Sequence, residues 1–303
     1  MPNQLIVILG PTASGKTSFA VNLAHKINAE IISADSRQIY KGMDIGTGKD
    51  LSEYKINNIE IPYHLIDILE PKDDYSVYQF KKDFFKCYNV LLKKGKNIIL
   101  CGGTGLYIES VLLDYKIPNV SPDINLRDSL GQKTLDDLIN DLKLRNEKSY
   151  DKKFHTTKRR IIRTIEILDN EQVNSTGSNR DQKLKNYKVI GLKVDREILL
   201  SKIKKRLYER FDEGMIKEVE SLIDRGLSHE RLQYFGLEYK IIGEYLLNNL
   251  EFNEMRDKLN YAINRFSKRQ MTFFRRMEKR GININWINPE DINKKEEFLR
   301  LFK

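Results

Sequence analysis

The chain is 303 residues long, room for about two domains, and its 40% apolar and 10% aromatic residues describe a folded chain and exclude a disordered one. Fifty-three Lys and Arg against 43 Asp and Glu leave a formal charge of +10, which points to polyanionic partners. Cys87 and Cys101 are the only cysteines and the histidines (25, 64, 155 and 229) are scattered, which excludes a disulfide framework, a four-Cys zinc site and a short-range His metal motif.

In chain order, Leu5–Leu9 (LIVIL) is a β-branched and Leu run closed by Gly10, the pattern of a strand buried in a parallel sheet. It is too short for a secretory signal, and no later stretch approaches the roughly 18 apolar residues of a membrane helix. The expected location is therefore cytoplasmic, with no membrane association. Residues 18–27 predict a helix with Phe19, Leu23 and Ile27 four apart, and 30–33 (EIIS) a second strand ending just before Asp35. A helix over 77–94 places Phe80, Phe84, Tyr88 and Leu91 on one face, and 97–101 (NIILC) is a third strand broken by Gly102-Gly103. Strands alternating with helices predict a three-layer α/β sheet, with the loops after its strands gathered along one ligand-binding edge.

The composition changes after about Asp114. Residues 115–186 are polar and rich in Lys, Asp and Asn, with a helix at 157–168 and a mobile loop at 170–185. Residues 187–194 (YKVIGLKV) return to a strand pattern. The reading is a core made of 1–114 and 187–303, interrupted by a mainly helical insertion. Two helices complete the core: one carries the stripe Leu199, Ile203, Leu207, Phe211, Met215, Val219 and Leu222, and the second covers 253–279.

Gly10-Pro11-Thr12-Ala13-Ser14-Gly15-Lys16-Thr17 matches G-x-x-x-x-G-K-[ST], lying between a predicted strand and a predicted helix. The two glycines let the backbone wrap closely, so that its amides and the helix N-terminus converge on phosphate oxygens. Lys16 adds a point charge, and the Thr17 hydroxyl can bind Mg²⁺. The expected fold is thus an α/β, P-loop NTPase-like parallel sheet with flanking helices, an inserted helical domain and C-terminal helices. NIILC ends in Gly102-Gly103-Thr104 where a nucleotidase usually has a strand-terminal Asp. There is also no adenine-binding signature or lid of paired arginines, so ATP hydrolysis is not the expected chemistry.

Four further segments stand beside the P-loop. They are Ser33-Ala34-Asp35-Ser36-Arg37-Gln38-Ile39-Tyr40-Lys41-Gly42-Met43-Asp44-Ile45-Gly46-Thr47, Tyr63-His64-Leu65-Ile66-Asp67, Gly102-Gly103-Thr104-Gly105-Leu106-Tyr107, and Ser267-Lys268-Arg269-Gln270-Met271-Thr272-Phe273-Phe274-Arg275. With these the chain resembles the tRNA dimethylallyltransferases, or tRNA isopentenyltransferases, from residue 5 to about 280. The resemblance implies transfer of a dimethylallyl group from dimethylallyl diphosphate to N6 of adenine 37 beside the tRNA anticodon, with the P-loop holding the donor diphosphate. No Cys follows residue 101, so the zinc finger of eukaryotic members is absent and a bacterial type is implied.

Roles follow from the resemblance residue by residue. Lys16, Thr17 with Mg²⁺ as cofactor, and the amides of residues 10–17 would stabilise the leaving diphosphate. Arg210 matches the family's diphosphate-clamping Arg, its alternative being a solvated helix Arg. Asp35 aligns with the general base and Thr104 with a hydroxyl at the reacting centre. Ser36, Arg37 and Gln38 match the acceptor-reading segment, with Gln38 hydrogen-bonding a base edge. His64 and Asp67 are expected to be structural. Segment 232–240 departs from the family's Gly-Tyr-Lys-Glu pattern, which leaves Glu238 and Tyr239 without assigned roles.

Residues 265–280 hold Arg265, Lys268, Arg269, Arg275, Arg276, Lys279 and Arg280 against Glu278 alone, a net +6. Ile263, Phe266, Gln270, Phe273 and Met277 form the expected buried stripe of that helix. Residues 152–163 hold Lys152, Lys153, Lys158, Arg159, Arg160 and Arg163 against no acid. Taken singly, each cluster reads as a solvated helix face. With the resemblance they become phosphate contacts to the tRNA anticodon stem-loop, with a monomer as the expected state. The competing readings are a prenyltransferase acting on free AMP, ADP or ATP, a small-metabolite P-loop kinase, and a non-catalytic RNA-binding protein.

Overall fold

A computed structural model describes residues 5–171, 184 and 186–291. The chain divides into two compact units, residues 1–115 with 182–303 and residues 116–181. Elements of the first unit before the division are β1 (Leu5–Leu9), α1 (Lys16–Ile27), β2 (Ala29–Ser33), the ribbon β3 (Lys55–Ile56) and β4 (Ile59–Glu60), β5 (Tyr63–His64), α2 (Val77–Lys93), β6 (Asn97–Gly102) and α3 (Gly105–Leu112). The second unit holds α4 (Ile124–Gly131), α5 (Leu135–Asn146) and α6 (Lys158–Glu171). The first unit resumes with β7 (Tyr187–Leu192), α7 (Arg196–Asp212), α8 (Met215–Asp224), α9 (His229–Phe235), α10 (Leu237–Leu246), α11 (Phe252–Lys279) and β8 (Ile284–Ile287).

The main sheet has the order β5-β2-β6-β1-β7-β8, and each of its pairings is parallel. Its apolar runs are continuous because both faces are covered. Leu5, Val7, Leu9, Ile98, Leu100 and Val189 join one buried cluster, which includes residues of α2, α3 and α7 to α11. Ile6, Ile8, Ile99, Cys101 and Ile190 face the other, built on Phe19, Ala20, Leu23 and Ala24 of α1. The Ser76–Gln79 capping box starts α2, and Phe80, Phe84, Tyr88 and Leu91 are buried as the periodicity predicts.

The C-terminal helices depart from the sequence reading in three places. The stripe from Leu199 to Leu222 is split between α7 and α8 at Gly214, whose φ of 98° ends a right-handed helix. The short helices α9 and α10 lie where no helix is expected. In α11 Ile263, Gln270 and Met277 are buried as expected, but Ser267 and Phe274 are buried in place of Phe266 and Phe273. Of the expected loop at 170–185, Asn170 and Glu171 close α6 and Leu184 is buried, while the rest lies outside the described residues. Among the described residues no helix is long and apolar enough to cross a membrane.

The second unit has its own core of Leu130, Leu138, Leu142, Ile161, Ile162 and Ile165. The buried Glu166 carboxylate accepts from Arg127 Nε (2.6 Å) and Arg163 Nη1 (3.0 Å), and Arg163 Nη2 also donates to Val120 O (2.7 Å). This corrects the expectation for Arg163, which is committed to its own unit and is not a free phosphate contact. Arg160 is exposed but donates to Phe154 O and Thr156 Oγ1, both at 3.0 Å, while Arg159 is exposed on the same helix.

Candidate active site

The loops after β1, β2 and β6, three adjacent strands, open together at the carboxyl edge of the sheet. Gly15 precedes α1 in the left-handed region, φ 79°, with no side chain to occupy the first-turn amides, which leaves them for an anion. Gly10, Pro11 and Ser14 are buried beneath the loop, and Ala13 is half-buried. Thr12, Lys16 and Thr17 face a cavity of about 520 Å³. Lys16 Nζ donates to Pro11 O at 2.8 Å, and burial pulls its pKa below the ordinary lysine value.

The β2 and β6 loops are stitched to each other. Ser36 N donates to Thr104 Oγ1 (3.0 Å), whose hydroxyl donates to Ser36 Oγ (3.3 Å), and Thr104 N donates to Ala34 O (3.2 Å). Asp35 accepts the amide of Arg37 on Oδ1 (3.0 Å), a tight turn that holds the carboxylate at the cavity wall. The predicted base and the predicted reacting-centre hydroxyl therefore stand on one braced pair of loops.

Helix α11 closes this edge through Gln270, which sequence reasoning placed in an apolar stripe. Its Oε1 accepts the Thr12 amide (2.8 Å) and its Nε2 donates to Gly103 O (3.0 Å), tying the phosphate loop to the β6 loop. A Cβ at Gly105 would lie 2.3 Å from the Phe273 ring, so this approach of helix and loop requires glycine there. The available signal was a Ser and a Gln recurring at helical spacing in a stripe otherwise filled by Ile, Phe and Met.

Arg210, from α7, is buried in the cavity wall with Glu238 Oε1 3.9 Å away. Its Nε has no hydrogen-bond partner among the described residues. Burial lowers the Arg210 pKa and raises that of Glu238, and each partner's charge opposes the other's shift. A guanidinium held this way has donors to offer an anion in the cavity. The buried reading of Arg210 prevails over the solvated one.

Two expectations about acceptor contacts need correction. Gln38 lines the cavity, but its Nε2 donates to Gly48 O (3.0 Å) and its Oε1 accepts from Ser33 Oγ (3.4 Å). It thus braces a loop and leaves its amide engaged, where a free base-reading edge was expected. On α11, Lys268, Arg269 and Arg275 are exposed and Arg269 reaches the cavity rim, but Arg276 Nη2 donates to Glu109 Oε2 (2.7 Å) and Arg280 to the same wholly buried carboxylate. Arg276, itself exposed, is paired with that buried carboxylate and is not a free cation. Arg37, half-buried, sits with its guanidinium 5.5 Å from the centre of the Tyr234 ring and 5.8 Å from that of Phe235. His64 pairs with Glu30, and Asp67 with the buried Lys49, as structural groups.

Comparison with known proteins identifies the lineage of this arrangement. The family of IPP transferases matches residues 38–277, and that of isopentenyl transferases residues 3–63. The tRNA dimethylallyltransferase 1 of Parabacteroides distasonis is 48% identical over 289 residues, covering 94% of this chain and 92% of its own. The crystal structure of the full-length tRNA isopentenylpyrophosphate transferase from Bacillus halodurans superposes with a TM-score of 0.71 at 31% identity, over 98% of this chain and 95% of its own. A eukaryotic dimethylallyltransferase acting on tRNA gives a TM-score of 0.78 over 99% of this chain and 78% of its own, and at 20% identity it speaks for the fold alone. With most of its length matched at this identity, and with the braced phosphate loop, Asp35 and Thr104 on one cavity, the chain belongs to the tRNA dimethylallyltransferase family.

Proposed function

We propose that the protein transfers a dimethylallyl group from dimethylallyl diphosphate to N6 of adenine 37, next to the anticodon of tRNA. The observation that carries this reading is the meeting of Lys16, Thr17, Asp35, Thr104 and Arg210 on one cavity. The amine N6 attacks the allylic carbon, the carbon–oxygen bond to diphosphate breaks, and the pair of electrons leaves with the diphosphate. Lys16, Arg210 and the loop amides receive that growing charge. N6 becomes acidic as it gains positive charge, and Asp35 takes its proton. Thr104 holds the Asp35 loop through its hydroxyl, which accepts the Ser36 amide and donates to Ser36 Oγ at the same wall. The Thr17 hydroxyl on the cavity wall is an oxygen donor that fits a magnesium ion held chiefly by diphosphate oxygens. Bound there, the ion would neutralise charge on the leaving group.

The exposed cations Lys268, Arg269, Arg275 and Lys279 supply phosphate contacts to the anticodon stem-loop, and Arg159 and the neighbouring exposed lysines give the second unit a cationic face of its own for tRNA phosphates. A prenyltransferase of free nucleotides has no need of them. Incubation with labelled dimethylallyl diphosphate and either tRNA or AMP, ADP and ATP tests the reading. Label in tRNA is expected; label in a free nucleotide, or in none of these acceptors, overturns it.

A further inference from the structure

Glu218, on α8, lies outside the cavity, yet four donors converge on its carboxylate. Oε2 accepts from the amides of Asp44 (2.8 Å) and Ile45 (2.7 Å), and Oε1 from the amide of Gly46 (3.0 Å) and the phenol of Tyr239 (2.7 Å). Three consecutive amides aimed at one point make an anion-binding nest, here filled by a side chain from more than 170 positions along the chain. Burial, and then the carboxylate itself, push the Tyr239 phenol well above its ordinary pKa, so it remains a donor.

The segment so held is the cavity wall formed by Gly46, Thr47 and Gly48. Its position governs two groups already placed in the site. Gly48 O receives the Gln38 amide at 3.0 Å. The Gly48 Cα is so close to the guanidinium of Arg210 that a Cβ there would lie 1.8 Å from Nη2. The Tyr239 ring underlies Gly46, where a Cβ would meet it at 2.7 Å. A shift of this wall therefore moves Gln38 and crowds or releases Arg210. The fold of α8 does not depend on the carboxylate, because its packing comes from the buried Met215, Val219 and Leu222.

We propose that Glu218 is a positioning residue for dimethylallyl transfer, setting the Gly46–Gly48 wall and through it the placement of Gln38 and Arg210. This rests on the activity proposed above. It also gives a role to Tyr239, the fourth donor to the same carboxylate.

The test uses the full chain, labelled dimethylallyl diphosphate and a tRNA anticodon stem-loop, in single turnover with both substrates saturating. Glu218→Gln keeps the size but turns an amide NH₂ towards backbone N–H donors. Transfer is expected to fall on the order of 10- to 100-fold, the scale of a displacement of about 1 Å in a site, while cooperative thermal unfolding persists. Tyr239→Phe removes one donor of four and is expected to lose less than about tenfold on the same scale. Gln38→Ala should slow the wild-type chain severalfold but have little further effect on Glu218→Gln, because both act through Gly48. An independent structural role would give full additivity. If Glu218→Gln does not fold, Glu218→Asp, which retracts the carboxylate by one methylene, carries the same expectation. Wild-type rates in the folded variant, or additivity with Gln38→Ala, overturn the inference alone. A wild-type chain that transfers nothing to the stem-loop overturns the activity first and this inference with it.

Discussion

Gln270 offers the sharpest test of how the site is built, because two substitutions there separate packing from charge. Gln270→Leu keeps the volume and removes both hydrogen bonds. The Thr12 amide and the Gly103 carbonyl lose their partner on α11, and each buried polar group so stranded costs about 1–3 kcal/mol. The Gly103 side is buried and the Thr12 side borders the cavity, where water can replace the acceptor. The net loss of folding stability is therefore expected at about 2–4 kcal/mol. Gln270→Glu keeps an acceptor for Thr12 but sets a carboxylate oxygen against Gly103 O. It also adds a negative charge at the wall that receives the diphosphate. Donor affinity should then fall more than tenfold, about 1.4 kcal/mol or more, whereas Gln270→Leu should lose tenfold or less. Thermal unfolding together with calorimetric titration of dimethylallyl diphosphate gives both orderings. Equal donor affinities in the two variants, or a Leu variant as stable as wild type, would refute the assignment of Gln270 as the clamp on the phosphate loop.

Other consequences can be checked in the same assays. Asp35→Asn should lower single-turnover transfer about 10²–10⁴-fold with substrate affinities changed less than about tenfold, and a variant near the wild-type rate would remove Asp35 as the base. Burial lowers the Lys16 pKa, so its charge is present below that lowered value and is lost as pH rises through it. Donor affinity should weaken as the pH rises through that lowered pKa in wild type but not in Lys16→Arg, and matching pH profiles would exclude Lys16 as the titrating group. Replacing Lys268, Arg269 and Arg275 with Gln should reduce the salt dependence of tRNA binding by a slope of about 0.7–0.9 per lost contact. Arg276→Gln should instead show mainly as lost stability, because it strips a partner from the buried Glu109; a reduced salt slope with unchanged stability would reverse that reading.

What the sequence disclosed and what it hid divide along physical lines. β1, β6, α2 and the phosphate loop were legible because their signals are local: continuous apolar runs, a helical stripe, and glycines at fixed spacing. The edge strands β5 and β8, two and four residues long, were not, since little in so short a run distinguishes a strand from a loop. Asp35, Thr104 and the P-loop were recognisable by motif, and all three reach one cavity.

The misreadings share a different cause. Along α11, Phe266 and Phe273 make as good an apolar stripe as Ser267 and Phe274, one residue out of phase, and periodicity alone favours the more apolar set. The folded chain buries the other set around Gln270, a residue that both stripes share, and the surface facing Gln270 is not apolar. It consists of the Thr12 amide and the Gly103 carbonyl, groups that must be hydrogen-bonded when buried. Phe266 and Phe273 are displaced to the cavity wall, where an apolar lining beside a phosphate loop suits a donor with one charged and one hydrocarbon end. Arg276 was misjudged in the same way. Its charge matches that of Arg275, and only Glu109, 167 residues earlier, ties up its guanidinium. Glu218 reaches its three amides across a comparable separation. A polar residue whose partner is a backbone group or a buried charge far along the chain leaves no periodic trace, and in this protein such residues are the ones that hold the cavity walls in place.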